Sequence, residues 1–311
     1  MYDFLEHRKI ESLNQFLPCY PFRKEPNPIE AAQLAIQVNI FDCGGIAIGV
    51  CTSHKITDGI TMSAFLKSWA ATTGGPCNKL VHPYFSMASS ISHFPPQDTL
   101  PPNYVSLMES LWFKEGKYKT RIFVFDAKAI ATLRGKSKSE RVDNPTRIES
   151  LSNFICKHAT IASRVISCSP GPYILAQAVN IRRKTKPHLL EYSIGNLFMG
   201  IRSREAVEKV NSGMKTLQGD EGFVAICEQL NQIASMVLFS RENLELFPFT
   251  SWLSFGFDEI DFRWKIHYTE KTNCGNGIEA WVTLKENVVA VLEHDLEFLA
   301  FATLNLSVLR Q

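Results

Sequence analysis

Two short apolar runs, a glycine pair between them and a histidine loop after them constrain this chain more than any other part of it. Residues 34–41 (Leu-Ala-Ile-Gln-Val-Asn-Ile-Phe) alternate, with Ile36, Val38 and Ile40 on one face, the pattern of a half-buried strand. Asp42-Cys43-Gly44-Gly45 is a turn signal, and residues 46–51 (Ile-Ala-Ile-Gly-Val-Cys) are a second apolar run. Together they predict a hairpin. His54-Lys55-Ile56-Thr57-Asp58-Gly59 follows at its end. Met62 to Ala71 then predicts a helix, with Phe65, Leu66 and Trp69 at helical spacing.

The rest of the chain alternates in the same way between strand and helix signals. Strands are expected over 118–125, 173–181 and 278–284, and helices over 126–134, 223–237 and 286–301. Thr146 and Glu149 have capping-box spacing, so a helix should follow with Ile148, Leu151, Phe154 and Ile155 on its buried face. Residues 75–105 break the pattern with Pro76, Pro83, Pro95, Pro96, Pro101 and Pro102. The mixture predicts α/β layers with mixed sheets. It divides the chain into a first domain over 1–80 carrying the histidine loop, a crossover linker over 81–105, and a second domain over 106–311.

Composition narrows the classes. The 311 residues, 45% of them apolar, suffice for a sizeable core. With 33 basic and 31 acidic residues the net charge is +2, which argues against a dedicated nucleic-acid binder. The eight cysteines include no Cys-x-x-Cys pair and fit reduced thiols in a cytoplasmic protein. The first ten residues carry Asp3, Glu6, His7, Arg8 and Lys9, so no signal peptide is expected there, and no apolar run approaches the ~20 residues of a membrane helix. His82, His93, His188, His267 and His294 show no metal-ligand spacing, so no metal site is expected. His158 falls on the apolar face of its helix and is expected to be a satisfied core residue.

His54 stands on a loop at the end of a strand, where a side chain can reach a cavity. Its ordinary pKa of about 6.5 lets it accept a proton near neutrality. Among eight histidines, however, one His-x-x-x-Asp arises readily by chance. Spacing alone therefore leaves a general base and an ordinary loop histidine both open.

The whole stretch Leu34 to Ala70, with strand, Gly-Gly, second strand, His-x-x-x-Asp-Gly and a helix ending near Trp69, closely resembles BAHD coenzyme-A-dependent acyltransferases, in particular the vinorine synthase-like branch. Further points agree in order. Asn180-Ile181-Arg182 is similar to the family's Asn-x-Arg strand end, and Gly195-Asn196 to its Gly-Asn turn. Thr250-Ser251-Trp252 precedes Asp261-Phe262-Arg263-Trp264-Lys265, which stands at the place of Asp-Phe-Gly-Trp-Gly. Gly277 to Leu284 resembles the Gly-x-Glu-Ala-Trp strand.

The resemblance implies a two-domain chloramphenicol acetyltransferase-like fold. It implies transfer of an acyl group, acetyl by branch, from acyl-CoA to a hydroxyl or amine of a plant-type specialised metabolite. His54 would be the general base in a ternary complex without an acyl-enzyme, and Thr250 and Trp252 would support the oxyanion. Asp58, Gly59, Arg182, Asp261 and Trp264 take structural roles in the family, with Arg182 as the partner of Asp58 and Gly59 giving the loop room to bend. No permanently bound cofactor is implied, only acyl-CoA, with acetyl-CoA the expected donor, as co-substrate. The implied protein is a monomer without nucleic-acid or membrane partners.

Three departures set a second expectation beside this one. Only 53 residues precede His54, which suggests an incomplete first domain with apolar sheet surface exposed. Both glycines of Asp-Phe-Gly-Trp-Gly are replaced, by Arg263 and Lys265, and the stretch between that motif and Gly277 is short. The alternative is a catalytically impaired relative that binds ligand or a partner, or a mis-spliced product.

Overall fold

The computed structural model describes residues 10–20, 32–73, 82–85, 116–140, 142–167, 173–183, 189–201, 245–257, 260, 262 and 276–304. Among them a short 3-10 segment, Ile10–Phe16, precedes the hairpin formed by β1 (Leu34–Ile40) and β2 (Ile46–Thr52). Helix α1 (Gly59–Thr73) follows the histidine loop. Then come β3 (Tyr118–Phe125), α2 (Ala127–Lys136), α3 (Arg147–Ile166), β4 (Tyr173–Asn180), β5 (Phe198–Ile201) and β6 (Glu245–Phe249). The order closes with β7 (Ile278–Lys285), α4 (Glu286–Leu292), α5 (Leu296–Leu299) and β8 (Thr303–Leu304). β7-β3-β8 is an antiparallel sheet; β5-β4-β6 is mixed, with β4 antiparallel to β5 and parallel to β6. The architecture is the mixed α/β arrangement expected. The expected helix over 223–237 lies outside the described residues, as does most of 75–105. No described helix is long and apolar enough to cross a membrane.

Local chemistry sets the helix starts. Asp126 accepts from the Ala129 N–H at 2.6 Å and caps α2. Thr146 and Glu149 form the reciprocal capping box of α3, at 3.2 and 2.7 Å. Such caps are each worth about 1 kcal/mol. Leu151 and Ile155 of α3 bury against Phe123, Phe125, Ile278 and Val282 of the β3–β7 ladder, with Ile148 and Phe154 at the margin. Phe298 closes this core: its ring meets Phe123 edge-on at 5.0 Å and stacks on Phe154 at 5.5 Å.

One expected helix is corrected. The single helix over 286–301 is broken between α4 and α5. Asp295 caps α5 by accepting from the Phe298 N–H at 3.0 Å, and its other oxygen meets Nδ1 of the buried His158 at 2.6 Å. A side chain that bonds the following backbone competes with helix continuation, and here a buried partner fixes that choice. His158 is thus a core residue, but among the described residues its Nε2 has no hydrogen-bond partner, only the Glu297 carboxylate at 3.9 Å. Cys156, on the same helix, is also buried, and burial pushes its thiol up to about 11.

The hairpin carries the exposed apolar sheet surface that the sequence led one to expect. The face with Ile36, Val38 and Ile40 is the open one; Val38 is 58% and Ile40 77% exposed. Residues 10–19 cover the opposite, more polar face instead. Gln37 Nε2 donates to the Gln15 carbonyl and Asn39 Nδ2 to the Phe16 carbonyl, both at 3.0 Å. Gly49 lets this segment in: a Cβ there would stand 1.8 Å from the Phe16 carbonyl oxygen. Alternation separates two faces without stating which is covered, and the amides on this strand select the segment whose carbonyls need donors.

The Asp295 contact predicts a pH dependence. Desolvation alone raises the Asp295 carboxyl, but hydrogen bonds with His158 and from the Phe298 N–H hold it below the usual carboxylate value. A depressed carboxyl stabilises the fold above its unfolded pKa, near pH 4, and this contribution is lost as pH falls through the folded value. Asp295→Asn is expected to lower the thermal midpoint at neutral pH and to approach the parent protein below about pH 4. A gap that stays constant on acidification contradicts this.

Candidate active site

The loop after β2 is exposed at one end and locked at the other. His54, Lys55 and Ile56 face solvent, whereas Asp58 is buried. Asp58 sits one residue before α1 and accepts from the Thr61 N–H at 2.9 Å, the geometry of a helix N-cap. Its carboxylate also receives Arg182 in a two-pronged contact, Nη1 to Oδ2 at 2.7 Å and Nη2 to Oδ1 at 2.9 Å. The Leu197 N–H completes its shell at 3.0 Å.

Arg182, just past β4, has no solvent exposure. A buried guanidinium has to place every N–H. Nε donates to the Ser193 carbonyl at 3.1 Å. Nη1 adds Asn180 Oδ1 at 3.2 Å, and Nη2 reaches Thr61 Oγ1 at 3.1 Å and the Ser193 and Gly195 carbonyls at 2.9 and 3.2 Å. The Thr61 hydroxyl donates to the Gly195 carbonyl at 3.0 Å. Three stretches, 58–61, 180–182 and 193–197, are therefore one hydrogen-bonded unit. Gly195 has φ +148°, a backbone conformation that side-chain-bearing residues rarely adopt.

Gly59 acts differently from the bend expected of it. Its φ is not positive; instead a Cβ there would meet Phe255 Cε2 at 2.1 Å. The Phe255 carbonyl also accepts from Ser63 Oγ. Phe255 belongs to the turn that carries Trp252, whose carbonyl accepts from the Phe255 N–H at 3.0 Å. The Trp252 ring leans on Phe257 at 5.5 Å and keeps 53% of its surface exposed. Thr250, after β6, is exposed. The start of α1 and the turn with Trp252 are thus packed together through Phe255. Of Asp261-Phe262-Arg263-Trp264-Lys265, only Phe262 is described: it is buried and meets Trp69 edge-on at 5.1 Å. Asp261 and Trp264 lie outside the described residues. Arg183 is exposed and paired with Glu191 at 2.8 Å.

Sequence reasoning passed over Thr61 and Phe198. The Phe198 ring stands against the His54 imidazole, with centroids 5.8 Å apart at 61°. A threonine in a first helical turn and a phenylalanine opening a four-residue strand carry no signal of their own.

The chemical content of the arrangement is an exposed imidazole on a loop whose other end is fixed; exposed threonine and indole groups stand on the segment that packs on the start of α1 through Phe255. Comparison with known proteins points the same way. The profile described as the Transferase family matches residues 1–299. Akuammiline synthase 2 of Alstonia scholaris is 31% identical, over 97% of this chain and 75% of that protein. The limonoid 7-O-acetyltransferase of Citrus sinensis is 36% identical, over 87% of this chain and 67% of that protein. The crystal structure of vinorine synthase superposes with a TM-score of 0.70 at 27% identity, covering 98% of this chain and 75% of that one.

Removing one member of a buried, hydrogen-bonded ion pair leaves the other charge uncompensated. Arg182→Met is expected to destabilise the chain by roughly 3–5 kcal/mol in urea unfolding, and Arg182→Lys to recover little, because an ammonium cannot make the two-pronged contact. A lysine variant as stable as the parent contradicts this.

Proposed function

We propose, since this chain belongs to the Transferase family of BAHD acyltransferases, vinorine synthase-like branch, that it moves an acyl group from acyl-CoA to a hydroxyl or amine of a plant-type specialised metabolite, with His54 as general base. The observation that carries the reading is the loop itself: an exposed imidazole four residues before a buried, arginine-locked aspartate. A hydroxyl is a weak nucleophile until its proton is taken as it attacks. His54 takes that proton while the acceptor oxygen adds to the thioester carbonyl. The tetrahedral oxyanion needs donors placed where the charge develops, and the Thr250 hydroxyl and Trp252 indole N–H fill that role. Collapse breaks the carbon–sulfur bond, coenzyme A leaves as the thiolate, and the proton returns from His54. Both substrates meet at one histidine, so no acyl-enzyme forms.

Finer parts of the proposal have separate supports. Acetyl-CoA as donor follows the acetyltransferase named among the relatives. A monomer in the cytoplasm, and the division into 1–80, 81–105 and 106–311, extend the family reading. Asp58 and Arg182 would then tie the first of those domains to the second.

One observation favours a second reading, a relative that binds ligand but turns over poorly. The β1–β2 ribbon leading into His54 leaves its apolar face open, with Ile40 77% exposed. One assay tests both. Incubated with acetyl-CoA and a panel of alcohols and amines, the parent protein should release thiol, and His54→Ala should lower the rate by about 10²–10⁴-fold. Equal rates in the two proteins exclude His54 as the base. Absence of release for every acceptor, with thermal stabilisation by coenzyme A, selects the second reading.

A further inference from the structure

We infer that Phe198 is a positioning residue for the His54 imidazole, held in place by the same Asp58 carboxylate that locks the far end of the histidine loop. This rests on His54 being the base proposed above. An exposed side chain ordinarily hops between rotamers on the picosecond-to-nanosecond scale. A general base has to present one nitrogen within about 3 Å of the proton it removes. Something must therefore restrict the imidazole without occupying its nitrogens.

Phe198 has the right chemistry for that task. Its ring lies 5.8 Å from the His54 ring at 61°, within the separation and tilt that aromatic pairs prefer. A phenyl group carries no hydrogen-bond donor or acceptor, so it restricts the ring and leaves the unprotonated nitrogen free to take the proton.

The backbone shows what holds Phe198 there. It is the first residue of β5 and stands opposite Asn180 of β4. Leu197, just before it, is buried; its N–H donates to Asp58 Oδ2 at 3.0 Å and its carbonyl accepts from the Ile181 N–H at 3.1 Å. Gly195 is tied to Thr61 through both its N–H, at 3.2 Å, and its carbonyl. A closed circuit results: His54 runs four residues along the chain to Asp58, Asp58 bonds Leu197, and the next ring packs on His54. Asp58 thereby acts on the histidine through Phe198, with no contact of its own to the imidazole.

The test uses the full chain with two substitutions, Phe198→Leu, which keeps apolar bulk, and Phe198→Trp, which keeps an aromatic ring. Three-bond couplings across the His54 Cα–Cβ bond, assigned with His54→Gln, report its χ1 population. A single rotamer is expected in the parent and in Phe198→Trp, and averaging in Phe198→Leu, with thermal midpoints unchanged. In the thiol-release assay, kcat should fall about ten- to a hundred-fold in Phe198→Leu, with KM for acetyl-CoA within about two-fold and recovery in Phe198→Trp. A single His54 rotamer retained in Phe198→Leu overturns the inference, and so does an unchanged kcat. The two readings fail separately. Turnover that survives His54→Ala removes the base. Turnover lost in His54→Ala but intact in Phe198→Leu keeps the base and removes the positioning.

Discussion

The contact between Asp58 and Arg182 is the constraint on which the geometry of the site depends. Arg182 has no exposure and Asp58 little, so neither charge can be satisfied by water. The acceptors of the guanidinium come from Asp58, Thr61, Asn180, Ser193 and Gly195, and the carboxylate in turn takes the N–H groups of Thr61 and Leu197. Each of these atoms has one position that satisfies the pair. The start of α1, the end of β4 and the entry to β5 are placed relative to one another as a result, and His54 lies on the loop between the hairpin and that fixed point.

The hairpin that delivers the loop follows a different logic. Its covered face is held by side-chain amides donating to backbone carbonyls of residues 15 and 16, and by Gly49 giving the Phe16 backbone room. Its other face presents Ile36, Val38, Ile40 and Ile46 to solvent. A contiguous apolar face of this kind is the character of a contact surface rather than of a finished exterior. The histidine thus stands between an over-determined end, at Asp58, and a ribbon secured on one side. Positional definition at His54 comes chiefly from the Asp58 side and from the ring packed against it.

What was legible in the sequence was local. The capping box at Thr146 and Glu149, the alternation over 118–125 and 278–284, and the histidine loop between a hairpin and a helix each depend on residues a few positions apart, and the structure forms them there. What was not legible depends on partners far along the chain. Val288, Leu292, Leu296 and Leu299 keep helical spacing across Glu293-His294-Asp295, yet the helix breaks there, where Asp295 binds His158, 137 residues away. The alternation over 34–40 separates Ile36, Val38 and Ile40 from Gln37 and Asn39, but the cover of the amide side by residues 15 and 16 depends on partners 22 and 23 residues away. Gly59 invites a conformational explanation, whereas its lack of a Cβ matters because Phe255 fills that space. Arg182 as the partner of Asp58, 124 residues distant, was reachable only through resemblance to a family, and Thr61 and Phe198 by neither route.

A buried ion pair is weak grounds for net stability, since well-packed apolar residues of the same volume often serve as well or better. What an apolar pair could not do here is specify direction. Dispersion contacts tolerate small rotations, whereas the N–H groups of Thr61 and Leu197 must point at particular carboxylate oxygens, and the guanidinium must lie in the carboxylate plane for both prongs to form. A slip of β5 by one residue would remove Leu197 from Asp58 and turn Phe198 away from His54, because successive strand residues face opposite sides. Such a slip need not unfold the chain, but it would leave the imidazole without its neighbour. The pair therefore fixes the register of β5 beside it, and a fixed register is what the base proposed at His54 requires.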